Sequence, residues 1–151
     1  MVRFGPFELP NSQIFWRGVY SYATVNLRPV VAGHVLVIPY RVVVRVGELE
    51  PRELVEMWSA AQRIGVMLER LHGAKSLQFV IQDGPDAGQT VPHVHIHVLP
   101  RKPGDFPNVD DVYNELAGKI RIDVPEKTDR SAQEMQEEAE LLTSELGKSL
   151  L

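Results

Sequence analysis

The strongest constraint on the fold of this chain is the alternating stretch His93-Val94-His95-Ile96-His97-Val98-Leu99. Strict alternation with β-branched residues in between is typical of a β-strand. Successive side chains on a strand point to opposite faces, so the valines and the isoleucine are expected to face a core. The three histidines then form a row on the other, open face, with neighbours about 6.6 Å apart along the strand.

A histidine row can bind a metal ion or an anion, or it can simply lie in water. The outer two histidines would lie about 13 Å apart, which is unfavourable for one tetrahedral metal centre. The chain has no cysteine, and no acidic residue interrupts the row, so we expect no protein metal site. Phosphate oxygens accept hydrogen bonds from imidazolium, and a bound anion would offset the mutual repulsion of the rings. The row therefore favours a phosphate ligand over solvent.

The segment before the row supports this interpretation. Gly88-Gln89-Thr90 supplies a backbone position without Cβ, a neutral amide donor and a hydroxyl. Backbone and side-chain donors of this kind can surround phosphate oxygens. The triplet comes shortly before His93, which makes a phosphate cradle the best hypothesis for it.

The remaining pattern predicts an α+β fold with an antiparallel sheet, because strands, a helix, strands and a helix follow one another. Besides the histidine stretch, strands are expected at 14–16, 19–25, 34–38 and 77–82. A helix is expected from Pro51 to Gly73, with an apolar stripe facing the core. Residues 1–12 contain Gly5 and two prolines and predict an irregular lead-in.

The last part of the chain predicts an acidic amphipathic helix at about 131–147. Its apolar stripe, formed by Met135, Ala139, Leu142 and Leu146, is expected to face either the body of the domain or a partner subunit. Residues 101–130, rich in proline, glycine and charge, are expected to form a mobile loop region. The whole chain, 1–151, is interpreted as one domain, since 151 residues suffice for a single core.

Composition narrows the class of protein. The formal net charge is −4 and there is no basic stripe, which argues against binding of a nucleic-acid polymer. The absence of cysteine excludes disulfides and fits an intracellular protein. The start lacks the apolar segment of a signal peptide, and no run approaches the ~20 residues of a membrane span. We therefore expect a cytoplasmic protein, with nuclear or organellar entry left open.

The motif at 93–99 matches the pattern of the histidine triad (HIT) superfamily, three histidines separated by single apolar residues. Residues 82–93 and 99–102, together with 28–37 and 104–106, resemble the Fhit branch (fragile histidine triad proteins). The Hint branch usually carries Gly-Gly-Gln-Ser before its histidines, whereas this chain has Ala87-Gly88-Gln89-Thr90. The resemblance therefore favours Fhit. It implies a five-stranded antiparallel sheet that continues across a homodimer, with residues 51–72 and 135–146 as dimer surfaces.

The resemblance also implies an activity, the hydrolysis of diadenosine triphosphate to AMP and ADP through a nucleotidyl-histidine intermediate. His95 would be the nucleophile, supported by His93, His97, His34 and Gln89. A neutral imidazole is a competent nucleophile near pH 7, which agrees with this assignment. The implied substrate-binding residues are Asn26, Gln82, Gly88, Gln89, Thr90, Val91 and His97. A divalent cation, Mg²⁺ or Mn²⁺, is expected to arrive with the substrate phosphates.

Two other functions stay open at this point. One is adenosine phosphoramidate hydrolysis of the Hint type, which uses the same chemistry. The other is a nucleotide-sensing module, in which the ligand-bound dimer is the signal and turnover is incidental.

The fifth histidine, His72, is expected at a helix C-terminus, where a cation suits the helix dipole, and no catalytic role is assigned to it.

Overall fold

The computed structural model describes residues 1–117 and 129–148. Its strands are β1 Val2–Phe4, β2 Phe7–Leu9, β3 Ile14–Arg17, β4 Ser21–Val25, β5 Val35–Pro39, β6 Ser76–Val80 and β7 Ile96–Arg101. Its α-helices are α1 Pro51–His72, α2 Asp111–Leu116 and α3 Ala132–Lys148. Five strands form one sheet in the order β3-β4-β5-β7-β6, with every pairing antiparallel. The predicted α+β class and five-stranded antiparallel sheet are confirmed.

The two faces of the sheet carry different residues, as the alternation predicts. Val35 and Val37 of β5, like Val94, Ile96 and Val98 around β7, are buried in the same cluster as the apolar faces of α1 and α3. On the opposite face, Leu36 and Ile38 pack with the N-terminal hairpin, and Leu99 packs with α2. The two long helices therefore cover one face, and the hairpin and α2 cover parts of the other.

Helix α1 begins and ends where its sequence predicts. Pro51 occupies the first turn, where its missing N–H costs nothing, and Glu50 and Glu53 form a reciprocal capping box. Gly73 ends the helix with φ of 63°, a left-handed conformation that glycine adopts without a Cβ penalty. The stripe facing the sheet includes Met57, Ala61, Ile64 and Leu68, all buried.

Helix α3 settles the orientation that its sequence left open. Its apolar stripe is at most 7% exposed and belongs to the same core cluster as α1 and the sheet. The stripe therefore faces the body of its own domain. The expectation that residues 135–146 form a dimer surface is wrong for these four side chains, because their apolar area is already buried.

The N-terminal lead-in is a β-hairpin, so the prediction of irregular structure at residues 1–12 is wrong. Strands β1 and β2 pair antiparallel around Gly5 and Pro6. Gly5 has φ of 57°, which supplies the reversal, and Phe4 packs onto Leu36 and Ile38. The alternation of Val2 with Phe4 and of Phe7 with Leu9 was the signal for this hairpin.

The predicted loop region at 101–130 is described only in part. Arg101 and Asp105 form a bidentate ion pair in the turn after β7, and α2 follows within the predicted region. Residues 118–128 lie outside the described part, so the mobility expected for this region stays a prediction. None of the helices in the described residues is both long and apolar enough to cross a membrane.

Candidate active site

The three histidines of the motif lie on the sheet face opposite the long helices, between the hairpin and α2. Backbone pairing starts at Ile96, so the predicted strand from His93 is wrong for its first three residues. There the chain turns, with the N–H of His93 bonded to the carbonyl of Val91. His93, His95 and His97 are 0%, 6% and 6% exposed, so the expected open face is a buried site.

Both ring nitrogens of His93 form hydrogen bonds with backbone groups. Its Nδ1 accepts a hydrogen bond from the N–H of Gly5 at 2.9 Å, and its Nε2 donates to the carbonyl of Pro39 at 2.8 Å. Both contacts fit one neutral tautomer, with the proton on Nε2. With both ring nitrogens occupied, His93 contacts His95 through its backbone carbonyl.

His95 has one nitrogen occupied and one open. Its Nδ1 lies 2.7 Å from the carbonyl oxygen of His93, and a carbonyl only accepts, so the proton sits on Nδ1. The lone pair is therefore on Nε2. Within the described residues, no hydrogen bond reaches Nε2. The Phe4 ring meets His95 edge to face at 5.1 Å and restricts its rotation. This is the arrangement expected of a nucleophilic imidazole.

His34 and His97 form a directed chain of hydrogen bonds. The N–H of Val30 donates to Nδ1 of His34 at 3.1 Å, which places the His34 proton on Nε2. That proton is donated to Nδ1 of His97 at 2.9 Å, so the His97 proton sits on Nε2 and faces Oε1 of Gln82 at 3.3 Å. Each ring is neutral with one tautomer. The His97 ring stands 4.8 Å from that of His95, close enough to donate to the same ligand.

Electrostatics favour the neutral form of all three motif histidines. Burial lowers the pKa of His93 and of His95, although each ring gains a hydrogen bond to a backbone carbonyl. Burial also lowers the pKa of His97 well below its usual value, and the rings of His95 and His34 lower it further. Because the cationic forms are disfavoured, His95 keeps its lone pair at neutral pH.

These shifts predict that the free energy of unfolding falls as the pH drops below about 6.5, the ordinary pKa of histidine. In that range the unfolded chain binds protons that the folded chain excludes, so protonation favours unfolding. The slope should approach about 1.4 kcal/mol per pH unit for each excluded proton. Urea unfolding between about pH 7 and pH 5 measures it. His95→Asn should show a shallower slope, and an unchanged wild-type stability over this range would contradict the assignment.

The connector after β6 brings Gln82 and Gly88 together. Gly88 has φ of 90°, and a Cβ added there would lie 2.8 Å from Nε2 of Gln82. The positive φ favours glycine, and a Cβ at this position would force the amide of Gln82 to shift. Gln82 is buried, and its oxygen is the acceptor for His97. The structure therefore makes Gly88 a support for Gln82 as well as an open backbone position.

The side chain of Gln89 forms hydrogen bonds with backbone groups. Its Oε1 accepts from the N–H of Gly84 and its Nε2 donates to the carbonyl of Val44, each at 2.9 Å. Contact with a phosphate would require it to exchange one of these partners. Thr90 is exposed, and Val91 packs against the cluster that contains Phe4. The substrate contacts expected for these three residues stay predictions.

Asn26 lies beside the His34 ring, with its amide nitrogen 3.4 and 3.3 Å from the two ring nitrogens. The backbone carbonyl of Asn26 accepts hydrogen bonds from Arg130, a residue that sequence reasoning did not connect to the site. Sequence reasoning also missed the backbone partners Gly5, Val30 and Pro39. A signal existed only for Gly5, in the hairpin pattern around it.

His72 lies outside the histidine cluster, as expected, yet its charge state differs from expectation. Burial lowers its pKa although Glu138 raises it, so the cation predicted for the helix end is disfavoured. Among the described residues its Nε2 is buried without a hydrogen-bond partner, and the ring packs against Gly33. Over residues 1–117 and 129–148, no group of three histidine or acidic side chains is arranged to hold a metal ion.

The arrangement agrees with a comparison against protein families, in which the profile of the HIT domain matches residues 9–104. The chain belongs to the HIT domain family. The HIT profile spans β3 to the turn after β7 and so includes His34, Gln82 and the three motif histidines. The resemblance stated from the motif is thereby confirmed.

Relatives place this HIT domain on the Fhit branch. The bifunctional bis(5'-adenosyl)-triphosphatase/adenylylsulfatase FHIT of Arabidopsis thaliana is 48% identical over 143 residues, covering 90% of this chain and 79% of the relative. The bis(5'-adenosyl)-triphosphatase of Dictyostelium discoideum is 46% identical over 136 residues, covering 90% of this chain and 87% of the relative. The crystal structure of Plasmodium falciparum diadenosine triphosphate hydrolase with cyclomarin A superposes with a TM-score of 0.80 at 28% identity. The match covers 97% of this chain and 84% of that chain.

Proposed function

We propose that this protein hydrolyses diadenosine triphosphate to AMP and ADP, with His95 as the nucleophile. The observation that carries the proposal is the His95 ring, whose Nδ1 proton is fixed on the carbonyl of His93 and whose Nε2 is open. The names of the Arabidopsis and Dictyostelium relatives support the substrate. A neutral, oriented imidazole beside the His97 donor suits phosphoryl transfer, in which positioning and electrostatics supply most of the catalysis.

The first step forms a bond between Nε2 of His95 and the α-phosphorus while the bond from that phosphorus to the bridging oxygen breaks. ADP leaves with the electron pair, and the ring becomes an adenylylated imidazolium. The carbonyl of His93 stabilises that charge through the Nδ1 proton. In the second step water attacks the phosphorus, the ring recovers its electron pair, and AMP and a proton are released.

The neighbouring residues then have distinct roles. The Nε2 proton of His97 can leave Gln82 and donate to a phosphoryl oxygen, with His34 holding the ring in that tautomer. Asn26 and Gln82 lie at the wall of the site and contact the nucleoside of the substrate. Gly88, Gln89, Thr90 and Val91 contact the phosphates, and Gln89 exchanges its contact with Val44 or Gly84 when substrate binds. A divalent cation arrives on the substrate phosphates, since none of the proposed residues is a carboxylate.

The experiment that tests the activity compares diadenosine triphosphate, adenosine phosphoramidate and adenylyl sulfate as substrates of the purified protein. Adenylyl sulfate is included because the Arabidopsis relative is named as an adenylylsulfatase too. All three deliver an adenylyl group to the same nitrogen and differ only in the leaving group. We expect the highest kcat/KM for diadenosine triphosphate. A preference for the phosphoramidate would replace this proposal with the Hint-type activity.

We propose further that the protein is a cytoplasmic homodimer joined along β6 and α1. Strand β6 is an edge of the sheet, and an unpaired edge can add a strand from a second copy. Beside it, Trp58 of α1 and Phe79 of β6 meet edge to face while staying 40% and 37% exposed. Val55 and Val66 extend this apolar surface along α1. The absence of cysteine fits a reducing compartment.

Phe79→Glu should convert the dimer to a folded monomer, because a charge at the interface would be buried without a partner. Light scattering measures the mass in solution. Leu141→Glu is the matched control, since Leu141 is 47% exposed on α3, the helix that packs beside β3 at the other edge of the sheet, and it should remain dimeric. A dimeric Phe79→Glu protein would exclude this surface.

A further inference from the structure

Arg130, just before α3, holds the loop between β4 and β5. Its Nε and Nη2 donate to the carbonyl oxygen of Asn26 at 3.0 and 2.5 Å, and its backbone N–H donates to the carbonyl of Leu27 at 3.2 Å. Glu138 of α3 accepts from the same Nη2 at 2.8 Å and orients the guanidinium. Both side chains are about four-fifths buried. A cation donating twice to one carbonyl is a stronger restraint than a neutral hydrogen bond.

Asn26 connects this restraint to the histidines. Its backbone carbonyl is bound by Arg130, while its amide nitrogen lies against both nitrogens of the His34 ring. The His34 ring in turn sets the tautomer of His97. A shift of Asn26 therefore moves the group that orients the donor beside His95. The other end of the same loop is held by α1, because the His72 ring packs closely against Gly33.

We propose that Arg130 is a positioning residue for the adenylyl transfer, acting through Asn26 and His34 on His97. This rests on the function proposed above. The reaction depends on donors placed to a fraction of an ångström, so loosening the loop should cost catalysis beyond any cost in folding. Through Glu138, the C-terminal helix thereby contributes to the site although its apolar stripe packs on the other face of the sheet.

The test is a double-mutant cycle of Arg130→Ala and Asn26→Ala, with kcat/KM for diadenosine triphosphate as the readout. Arg130→Ala alone should lower kcat/KM by about 10- to 100-fold. In the Asn26→Ala background it should add little, because the group through which it acts is gone. Arg130→Lys keeps the charge and one donor and should recover part of the loss. Equal effects of Arg130→Ala in both backgrounds would overturn the proposal.

Asp129→Ala is the matched control. Asp129 pairs with Arg28 on the same two segments, whereas the Asn26 carbonyl is bound by Arg130. It should reproduce any general loosening of α3, measured as a change in Tm, while leaving kcat/KM unchanged. A loss of activity equal to that of Arg130→Ala would show that anchoring of the segment is the whole effect, which would overturn the proposal.

A second readout does not depend on turnover. In the ligand-free protein, ¹⁵N spectra of the imidazoles report which ring nitrogen carries the proton. Wild-type His97 should carry it on Nε2, and Arg130→Ala should move its signals toward a mixture of tautomers. An unchanged His97 spectrum would overturn the positioning role. If the wild type did not hydrolyse diadenosine triphosphate while this spectral change occurred, the proposed function would fail and the link from Arg130 to His97 would stand.

Discussion

His95→Asn is expected to lower kcat for diadenosine triphosphate by about 10⁴-fold or more, because it removes the atom that forms the covalent intermediate. Binding should survive, since the asparagine amide is smaller than the imidazole and the His97 donor beside it is kept. With turnover abolished, diadenosine triphosphate itself serves as the binding probe in calorimetry. Mass spectrometry of the quenched wild-type reaction should show one added adenylyl group on the peptide that contains His95. The variant should show none.

His72→Asn is the matched control for this substitution. It also removes a histidine with a lowered pKa, from a helix end that takes no part in the proposed chemistry. The His72 ring packs against Gly33 of the loop between β4 and β5 but supplies no reacting atom, so the variant should lose at most the roughly 10- to 100-fold in turnover expected for a loosened loop, far less than His95→Asn. Near-normal turnover of His95→Asn, or an adenylyl group found on another residue, would show that the nucleophile is wrongly assigned. Binding retained without turnover also provides the protein needed to ask whether the liganded dimer alone can signal.

Gly88→Ala is expected to have the second largest effect. The φ of 90° is unfavourable for any residue with a Cβ, which costs about 1–3 kcal/mol of stability. The new methyl group would also lie 2.8 Å from Nε2 of Gln82 and 3.1 Å from Cβ of Ala117. Gln82 must then move, and His97 loses its acceptor. We expect kcat/KM to fall about 100-fold, as for a misplaced catalytic donor.

Gly104→Ala separates the backbone strain at positive φ from the displacement of Gln82. Gly104 has φ of 73°, yet a Cβ added there meets no atom within 4 Å in the described structure. It should lose a similar amount of stability in urea unfolding while keeping its kcat/KM. If both variants lost stability equally and both kept full activity, the contact between Gly88 and Gln82 would have no part in catalysis.

Much of the architecture was predictable because it depends on local periodicity. The alternation around His95 placed apolar side chains on one face of a strand and imidazoles on the other, and the buried cluster confirms this division. Pro51 and Gly73 marked the ends of α1 through their own backbone preferences. The hairpin at the N-terminus was missed because its strands are three residues long, too short for a periodic signal to outweigh Gly5 and the prolines.

The sequence by itself determined the family, the two long helices, most of the five-stranded sheet and the grouping of the three motif histidines. The tertiary structure decided what each ring can do, because the partners that fix the tautomers come from distant parts of the chain. Gly5 and Pro39 are 88 and 54 positions from His93, and His34 is 63 positions from His97. An imidazole becomes a nucleophile or a donor according to the nitrogen that carries its proton. That choice depends on acceptors and donors that only folding brings to the ring.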